Sequence, residues 1–235
     1  MTEELFRNDG YARSCAAKVL EVRAEGIVLD RTVFYYESGG QPGDSGRLSR
    51  ADGTSVGIAD TKRDKESGTI FHVPQAGAAA LNPGDAVMAE IDWERRHRHM
   101  RMHTCLHLLC AVVPGRVTGG QIAADKGRLD FAVDTGALDK THIEGELNRL
   151  IREDHKVTPT WITDEELTAK PDLVRTMSVK PPTGAGKVRL LDIPGVDLQP
   201  CGGTHVARTG EIGPVVVAKI ENKGKQNRRV VVQFA

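Results

Sequence analysis

Two pairs of residues in this chain have the types and spacing of metal ligands, and the first is His103 and His107 in the apolar run RMHTCLHLLC (101–110). On a helix, residues four apart share one face with Cβ atoms roughly 5–6 Å apart, so two imidazoles at this spacing reach one ion. Two inward-facing histidines are equally typical of a packed core. The spacing alone therefore leaves a metal site and a pair of core histidines both open.

The second pair is Cys201 and His205 in PCGGTH (200–205). The two glycines between them argue against a helix and predict a loop that curls closely around a bound group. Thiolate and imidazole are good zinc donors, so the two pairs together predict a Cys-His₃ zinc site. A small buried thiol in a glycine-rich turn is the alternative for Cys201. Cys110, one turn beyond His107 on the same helix face, is a competing ligand.

The residue after the first histidine limits the chemistry of such a site. Thr104 stands where zinc proteases of the H-E-x-x-H type have the glutamate that acts as general base. Without that glutamate we expect no peptidase activity, whereas a metal-bound water still suffices for an activated ester. The remaining histidines lack partners at ligand spacing and are interpreted as surface or packing residues: His72, His97, His99, His142 and His155.

Composition and charge exclude several classes of protein. With 39% hydrophobic and 27% charged residues the chain is typical of a globular protein, and no apolar run approaches a membrane span. The polar start MTEELFRNDG is not a secretory signal, so we expect a cytoplasmic protein with four free cysteines. Basic and acidic residues balance at 32 each, which argues against gripping nucleic acid by net charge. Two local basic patches, residues 95–101 and 222–229, nevertheless favour a polyanionic partner.

The pattern of short strands and turns predicts an α+β chain in two domains, residues 1–92 and 93–235. The first reads as a small antiparallel β-barrel, with strands expected in 18–30, 31–36, 55–60, 68–73 and 85–92. The second domain is expected to be an α+β domain with a sheet packed against helices. Its helices are predicted at 93–113 with Asp92 as N-cap, near 140–155, and at 165–170 after Asp164, and its strands within 120–133, 158–163, 187–193, 214–221 and 228–235.

At this point the motifs carry a resemblance to a known family. MHTCLHLL together with QPCGGTHVARTGEIG resembles the editing domain of alanyl-tRNA synthetase, and FYYESGGQPGDSG (34–46) is similar to the segment before that domain. GGQIAADKGRLDF (119–131) resembles a strand pair of the same domain. The likeness spans nearly the whole chain, which has no room for an aminoacylation domain. The chain therefore looks like a free-standing alanyl-tRNA editing protein of the AlaX family, in the form that keeps the N-terminal barrel.

The resemblance implies a zinc-dependent aminoacyl-tRNA hydrolase, a carboxylic ester hydrolase that deacylates Ser-tRNA(Ala) and, as a further expectation, Gly-tRNA(Ala). It implies Cys201 rather than Cys110 as the thiolate ligand, so that the zinc ligands are His103, His107, Cys201 and His205. Gln121 matches a glutamine that lines the family's substrate pocket, and we predict catalytic roles for Gln121 and Thr104. One departure is Leu106, because synthetase-type sites often have threonine there. The candidates to replace its hydrogen bond are Thr104, Thr118 and Thr204.

For contact with tRNA phosphates the two basic patches supply the candidates Arg95, Arg96, Arg98, Lys223, Lys225, Arg228 and Arg229. In the loop SGGQPGDSG (38–46), backbone N–H groups at Gly39, Gly40 and Gly43 are expected to approach the acceptor end, with a wide barrel turn as the alternative. Two other functions fit parts of the pattern: a non-catalytic RNA-binding module with a structural zinc, and a zinc hydrolase of small esters. A threonyl-type editor shares the ligand pairs, but GGQPGDSG favours the alanine system.

Overall fold

The computed structural model describes residues 2–133, 138–176 and 186–235. The chain forms two compact units, Met1–His97 and Arg98–Ala235. Strands predominate and three α-helices are present among the described residues, so the predicted α+β class is confirmed. Helix α1 (Trp93–Val112) begins where the sequence predicts, with the Asp92 carboxylate accepting a hydrogen bond from Arg95 N at 3.1 Å as an N-cap.

The first unit contains a closed six-stranded antiparallel barrel, which confirms the barrel predicted from the sequence. Its strand order is β2-β3-β7-β6-β5-β8, and the short β1 and β4 pair in parallel. The strands are β1 (Glu3–Glu4), β2 (Ser14–Arg23), β3 (Gly26–Leu29), β4 (Arg31–Thr32), β5 (Gly46–Ser49), β6 (Ser55–Arg63), β7 (Ile70–Pro74) and β8 (Ala86–Ile91). Alternate residues fill the barrel core, among them Leu48, Ile58 and Ala89.

Two barrel segments differ from the prediction. The strand expected over 31–36 stops at Thr32, and the sequence analysis missed β5. Residues 33–36 are all buried, so they lack the alternation of a strand with one solvated face. Their backbone groups bond side chains instead: Tyr35 N donates to Asp44 at 2.7 Å, and Val33 O accepts from Arg96 at 2.6 Å.

A buried ion pair lies in the first unit. Arg96 is 0% exposed, and its Nε lies 3.0 and 2.9 Å from the two carboxylate oxygens of Asp44. Its Nη1 donates to Gly10 O at 3.0 Å, so the guanidinium is fully engaged inside the protein. The predicted phosphate contact of Arg96 is therefore wrong, because a charge paired in this way would have to leave a satisfied buried network. Helical periodicity carried the signal, because Arg96 lies seven residues before His103 and so shares the inward face of helix α1.

The second unit holds two sheets and the rest of the helices. Its elements are β9 (Arg116–Ile122), β10 (Lys126–Ala132), α2 (Lys140–Arg152), β11 (Thr158–Thr163), α3 (Asp164–Ala169), β12 (Lys187–Ile193), β13 (Asp197–Pro200), β14 (Val215–Asn222) and β15 (Asn227–Phe234). One sheet has the order β14-β15-β10-β9 and the other β11-β12-β13. The strands predicted from the sequence are confirmed, β13 was missed, and α3 is capped by Thr163 in a capping box with Glu166 rather than by Asp164.

Helix α1 approaches the four-stranded sheet closely. A Cβ built on Gly127 of β10 would lie 2.9 Å from the Met102 side chain and 3.2 Å from Leu106. Because glycine has no side chain, the helix can come this close. The helix face that carries Met102 and Leu106, the residues just before His103 and His107, therefore packs against the sheet. No helix of the described residues is both long and apolar enough to cross a membrane.

His72, inside the barrel, generates a prediction about acid stability. It is 0% exposed, with Nδ1 3.0 Å from Ile27 O and Nε2 2.8 Å from Thr32 Oγ1. Burial lowers the pKa of His72 from 6.5 to about 4, so the folded state keeps a neutral ring where the unfolded chain binds a proton. This contribution to stability is complete above pH 6.5 and disappears as the pH falls toward 4.

We expect the free energy of unfolding to fall by about 3 kcal/mol over that range through this residue. The control is His72→Gln, which keeps hydrogen-bonding groups but does not titrate. Urea unfolding at a series of pH values should show that the free energy of unfolding falls less steeply with decreasing pH in the variant than in the wild type. Equal slopes for the two proteins between pH 6.5 and 4 would contradict the assignment.

Candidate metal centre

Four side chains from two distant segments of the second unit converge on one point. His103 and His107 come from helix α1, and Cys201 and His205 come from the loop after β13. One donor atom from each lies within 4.8 Å of all the others. The Cys201 sulfur is 3.5 Å from His103 Nε2 and 3.1 Å from His205 Nε2. The three imidazoles are buried, at 9%, 6% and 7% exposure, and Cys201 is partly exposed.

The spacing of these donors fits one metal ion. Zinc bound tetrahedrally at about 2.0–2.1 Å from nitrogen and 2.3 Å from sulfur separates the two donors by roughly 3.3–3.7 Å. The two Sγ–Nε2 distances lie close to that range. Among the His, Cys, Asp and Glu side chains of the described residues, this cluster is the one that could hold a metal ion. It brings together the four residues predicted as ligands.

Thr104 fixes the orientation of His205. Its hydroxyl donates to Met100 O at 2.9 Å and accepts from Val206 N at 3.2 Å. A hydroxyl has one proton, so its contact of 3.3 Å with His205 Nδ1 requires the imidazole to donate. The proton on Nδ1 leaves the Nε2 lone pair facing the cluster. Thr104, fully buried, therefore lies behind a donor as a positioning residue, which differs from the direct catalytic role predicted for it.

Asp197 and Gln199 fix the orientation of His107 in the same way. His107 Nδ1 lies 2.9 Å from Asp197 Oδ2, and Gln199 Nε2 donates to that same oxygen at 2.7 Å. A carboxylate only accepts, so Nδ1 carries the proton and Nε2 is the nitrogen left for an ion. The sequence analysis missed both residues. Their signal was the polar alternation in DLQPC (197–201), which is equally typical of a solvent-facing strand.

The protonation states of Cys201 and His205 suit a metal ion, whereas that of His107 must change when an ion binds. Desolvation would raise the pKa of the Cys201 thiol, but His103 and His205 outweigh it and hold that pKa well below its usual value. Burial lowers the pKa of His205 well below 6.5. Desolvation also opposes a charged His107, yet hydrogen bonds to Asp197 and Cys201 raise its pKa to about 10. The Cys201 thiolate and a neutral His205 are forms that ligate metals, and His107 would release its Nε2 proton on binding an ion.

The loop that carries Cys201 is held by a partly buried arginine side chain. Arg189 on β12 donates from Nη1 to Cys201 O at 2.8 Å and to Gly203 O at 2.9 Å. Its own carbonyl accepts from Cys201 N at 3.1 Å, and Gly203 N lies 3.5 Å from the Cys201 sulfur. Both sides of the Gly-Gly turn are thus tied to the neighbouring strand, so the loop predicted from PCGGTH has a defined shape.

Cys110 does not join the donors. Burial raises the pKa of its thiol to about 12, so Cys110 stays a neutral thiol next to Gln199. Spacing left Cys110 and Cys201 both open as ligands, and in the part of the chain that the structure describes Cys201 is the one of the two that lies within the four-residue cluster. All four cysteines are free, as the sequence predicts.

Gln121 lies on the opposite face of the four-stranded sheet from helix α1. It is exposed and pairs with Arg128, whose Nε donates to the Gln121 side-chain oxygen at 3.3 Å. Side chains alternate along a strand, so Arg128 points away from the face on which Gly127 meets the helix. Both line an open cavity of about 280 Å³ with Lys126, Lys219, Glu221 and Arg229. The predicted catalytic role of Gln121 stays a prediction. Thr118, one of the candidates to replace the hydrogen bond lost at Leu106, donates to Asp130 O at 3.1 Å.

Several predicted tRNA contacts have internal partners. Arg228 is buried and its Nη1 donates to Asn222, Gly224 and Asn227 oxygens at 2.8–2.9 Å, which closes the turn between β14 and β15 and contradicts a phosphate contact. Arg229 bonds the Asp130 carboxylate at 2.7 and 2.8 Å.

The other predicted contacts remain predictions, with one exception. A Cβ on Gly43 would lie 2.1 Å from Thr61 O, so Gly43 is packed against backbone and contradicts the predicted RNA contact. Gly39 and Gly40 are exposed, with φ of +58° and +84°. The remaining candidates, Arg95, Arg98, Lys223 and Lys225, have side chains that are at least partly exposed. Arg95 Nη2 donates to Gly43 O at 3.2 Å and Arg98 Nε donates to Ala124 O at 3.0 Å. Lys223 lies 3.7 Å from Glu221.

Comparisons with known proteins agree with this geometry. A family model described as the threonyl and alanyl tRNA synthetase second additional domain matches residues 188–231, and one described as tRNA synthetases class II (A) matches residues 8–95. The chain is 40% identical over 241 residues to the alanyl-tRNA editing protein AlaX-M of Methanosarcina acetivorans, covering 98% of both chains. It is 36% identical to AlaX-M of Saccharolobus solfataricus, again over 98% of each. It is 34% identical to AlaX-L of Pyrococcus horikoshii, of which it covers 57%.

The contact between Asp197 and His107 predicts the effect of a substitution on metal affinity. Replacing Asp197 by Ala removes the acceptor that fixes the His107 tautomer, and we expect the dissociation constant for Co²⁺ to rise about 10- to 100-fold. Asp197→Asn keeps an acceptor oxygen and should show a smaller rise. Chelator competition, followed by the absorption of the thiolate–cobalt complex, measures both.

Asp192→Ala is the matched control, because Asp192 pairs with Leu198 on the neighbouring strand and makes no contact with the donors. An unchanged dissociation constant in Asp197→Ala, with His107→Ala strongly weakened in the same assay, would contradict the positioning role.

Proposed function

Since the chain belongs to the AlaX family of alanyl-tRNA editing proteins, we propose that it is a trans-editing deacylase that hydrolyses the ester of tRNA(Ala) mischarged with serine, and also with glycine. The observation that carries the proposal is the buried cluster of one thiolate and three imidazoles, which supplies a site for a metal ion inside a chain of this family. The names of the relatives supply the substrate class.

We propose zinc as the metal. A set of one thiolate and three imidazoles is the chemistry of zinc sites, and carboxylate-rich sets suit magnesium or calcium instead. When bound, zinc supplies a Lewis acid that polarises a water or the ester carbonyl at neutral pH. The chain's own contribution is orientation, because Thr104 and Asp197 direct two imidazole nitrogens to the centre before any ion binds.

Selectivity for serine follows from the difference between two kinds of pocket. A site built for alanine rejects an added hydroxyl only about 10²-fold, whereas a site that hydrogen-bonds the hydroxyl discriminates by roughly 10⁴–10⁵. A second, separate editing site is therefore the way to clear serine from tRNA(Ala). The candidate from the sequence for contact with that hydroxyl is Gln121, whose amide both donates and accepts, although it lies on the sheet face turned away from helix α1 and its two histidines.

Binding of tRNA is proposed through exposed cations and the glycine loop. Removal of the buried residues from the predicted set leaves the exposed Lys223 and Lys225 and the partly exposed Arg95, Arg98 and Arg229. Each cation that contacts a phosphate adds about 0.9 to the salt slope of binding to duplex regions. The exposed Gly39 and Gly40 are candidates for contact through backbone N–H groups.

A second candidate function is favoured by the number of donors. Four protein ligands fill a tetrahedral site, as is usual for structural zinc. On this hypothesis the chain is an RNA-binding module whose zinc only holds the β13 loop to helix α1. The two functions differ in one measurable respect, which is whether the wild-type protein deacylates any charged tRNA.

The test is deacylation of tRNA(Ala) charged with serine, glycine or alanine, with the zinc content of each protein measured in parallel. We expect turnover of Ser-tRNA(Ala), little turnover of Ala-tRNA(Ala), and loss of turnover to the uncatalysed rate in the double variant His103→Ala, His107→Ala. Retained hydrolysis in a zinc-free double variant would remove the metal from the reaction.

Gln121→Ala separates the two candidate functions further. In an editor we expect the preference for Ser-tRNA(Ala) over Ala-tRNA(Ala) to narrow at unchanged zinc content. A structural module would show no deacylation before or after the change. Lys126→Ala, a residue of the same cavity, is the control for truncation of another side chain at that surface.

A further inference from the structure

An exposed tryptophan lies on the strand next to the one that holds the metal-ligand loop. Trp161 on β11 is 47% exposed, the highest value among the large apolar side chains of the described residues. β11 is an edge strand of the three-stranded sheet, so among the described residues no strand of that sheet lies on the outer side of Trp161. Burying an indole is worth more than burying most other side chains, so its exposure at this position requires an explanation.

The register of the sheet places Trp161 in a row with a metal donor. Trp161 is opposite Arg189, and Arg189 exchanges backbone and side-chain hydrogen bonds with Cys201. We call these three residues the Trp161 row. Neighbouring strands are about 4.8 Å apart, so the Cα atoms at the two ends of the row are about 10 Å apart. An indole ring extends over much of that distance.

Strand alternation puts Trp161 on the same face of the sheet as the metal centre. Its neighbour Ile162 packs on the other face with Val188 and Leu190, in the core cluster closed by α3. Arg189 and Leu191 are two residues apart on β12 and so share the face of Trp161. Leu191 pairs with Gln199, which bonds Asp197 beside His107. Trp161 therefore flanks the centre from the open edge of the sheet.

A cation accompanies the tryptophan. Lys187 is exposed and pairs with Thr163, which makes it the diagonal cross-strand neighbour of Trp161 on the same face, about 7–8 Å away. An aromatic ring with a cation beside it is the combination with which proteins bind single-stranded nucleic acid, through a stacked base and its phosphate. The positive charge of Lys187 matches a phosphate and argues against an apolar peptide as the occupant.

We propose that Trp161 stacks on a nucleobase of the single-stranded end of the RNA substrate, with Lys187 near its phosphate. The inference rests on the proposed function, since only a ribose ester at a single-stranded end would bring a base within one row of the metal donors. Stacking here holds the ester-bearing end beside the centre without contact to the amino acid. Trp161 is thus a substrate-binding residue, and its loss affects binding more than the chemical step.

The first test follows Trp161 fluorescence in a Trp93→Phe protein, where Trp161 is the single tryptophan. The probe is an uncharged RNA hairpin with the acceptor stem and single-stranded 3′ end of tRNA(Ala). We expect saturable quenching by this hairpin and much weaker quenching by the same hairpin with a blunt end. Quenching that does not depend on the single-stranded end would overturn the stacking proposal.

The second test measures deacylation kinetics of Trp161→Ala. Loss of one stacked base raises KM for Ser-tRNA(Ala) by about 5- to 150-fold, while kcat changes less than about threefold and zinc content stays the same. Trp161→Phe keeps an aromatic ring and should recover part of the KM. The matched control is Leu198→Ala, an exposed apolar residue of the same sheet on the opposite face, which should leave KM unchanged.

The outcomes separate this inference from the proposed function. Hydrolysis by the wild type with an unchanged KM in Trp161→Ala overturns the stacking and leaves the function intact. If the wild type hydrolyses no charged tRNA, the proposed function fails, and the fluorescence titration alone decides whether Trp161 binds RNA. If the sedimentation mass of the protein without RNA falls on Trp161→Ala, the surface around Trp161 is a contact between copies of the chain. That result overturns the proposal.

Discussion

The second unit depends on one constraint, which is that three imidazoles and a thiolate share a point far from bulk water. Buried polar groups are costly unless each is paired, and here the far side of two rings is paired by Thr104 and Asp197. The requirement fixes helix α1 relative to the loop after β13. A site prepared in this way spends little of its metal-binding energy on reorganisation, which is the general advantage of orienting donors before the ion arrives.

The first unit has a comparable buried charge with a different purpose. Arg96 and Asp44 are enclosed by barrel and loop, and the guanidinium also holds the carbonyls of Gly10 and Val33. Such a pair contributes little net stability compared with an apolar core, yet breaking it would leave an uncompensated charge. Its effect is to fix the conformation of the loop before β5, including Gly43. The glycine-rich motif in this loop is therefore explained in part by packing.

Sequence reasoning succeeded where local pattern and structure agree. The helix of His103 and His107, its cap at Asp92 and most strands follow from periodicity and turn residues. It failed where partners distant in the chain decide the role of a residue. Arg96 lies on the helix face of His103, but only the fold shows that its partner inside is Asp44. Asp197 lay unnoticed because its partner, His107, is 90 residues away.

Four protein donors are typical of a structural metal centre. A role in a reaction would require that a substrate reach the cluster from one side. The three imidazoles are buried, whereas Cys201 is partly exposed. A purely structural ion has no need of an accessible side. Cys201 is tied to Arg189 and, through that strand, lies in a row with the exposed Trp161. The strand edge next to the Cys201 loop thus carries an aromatic ring and the cation Lys187, an arrangement suited to a nucleic-acid end.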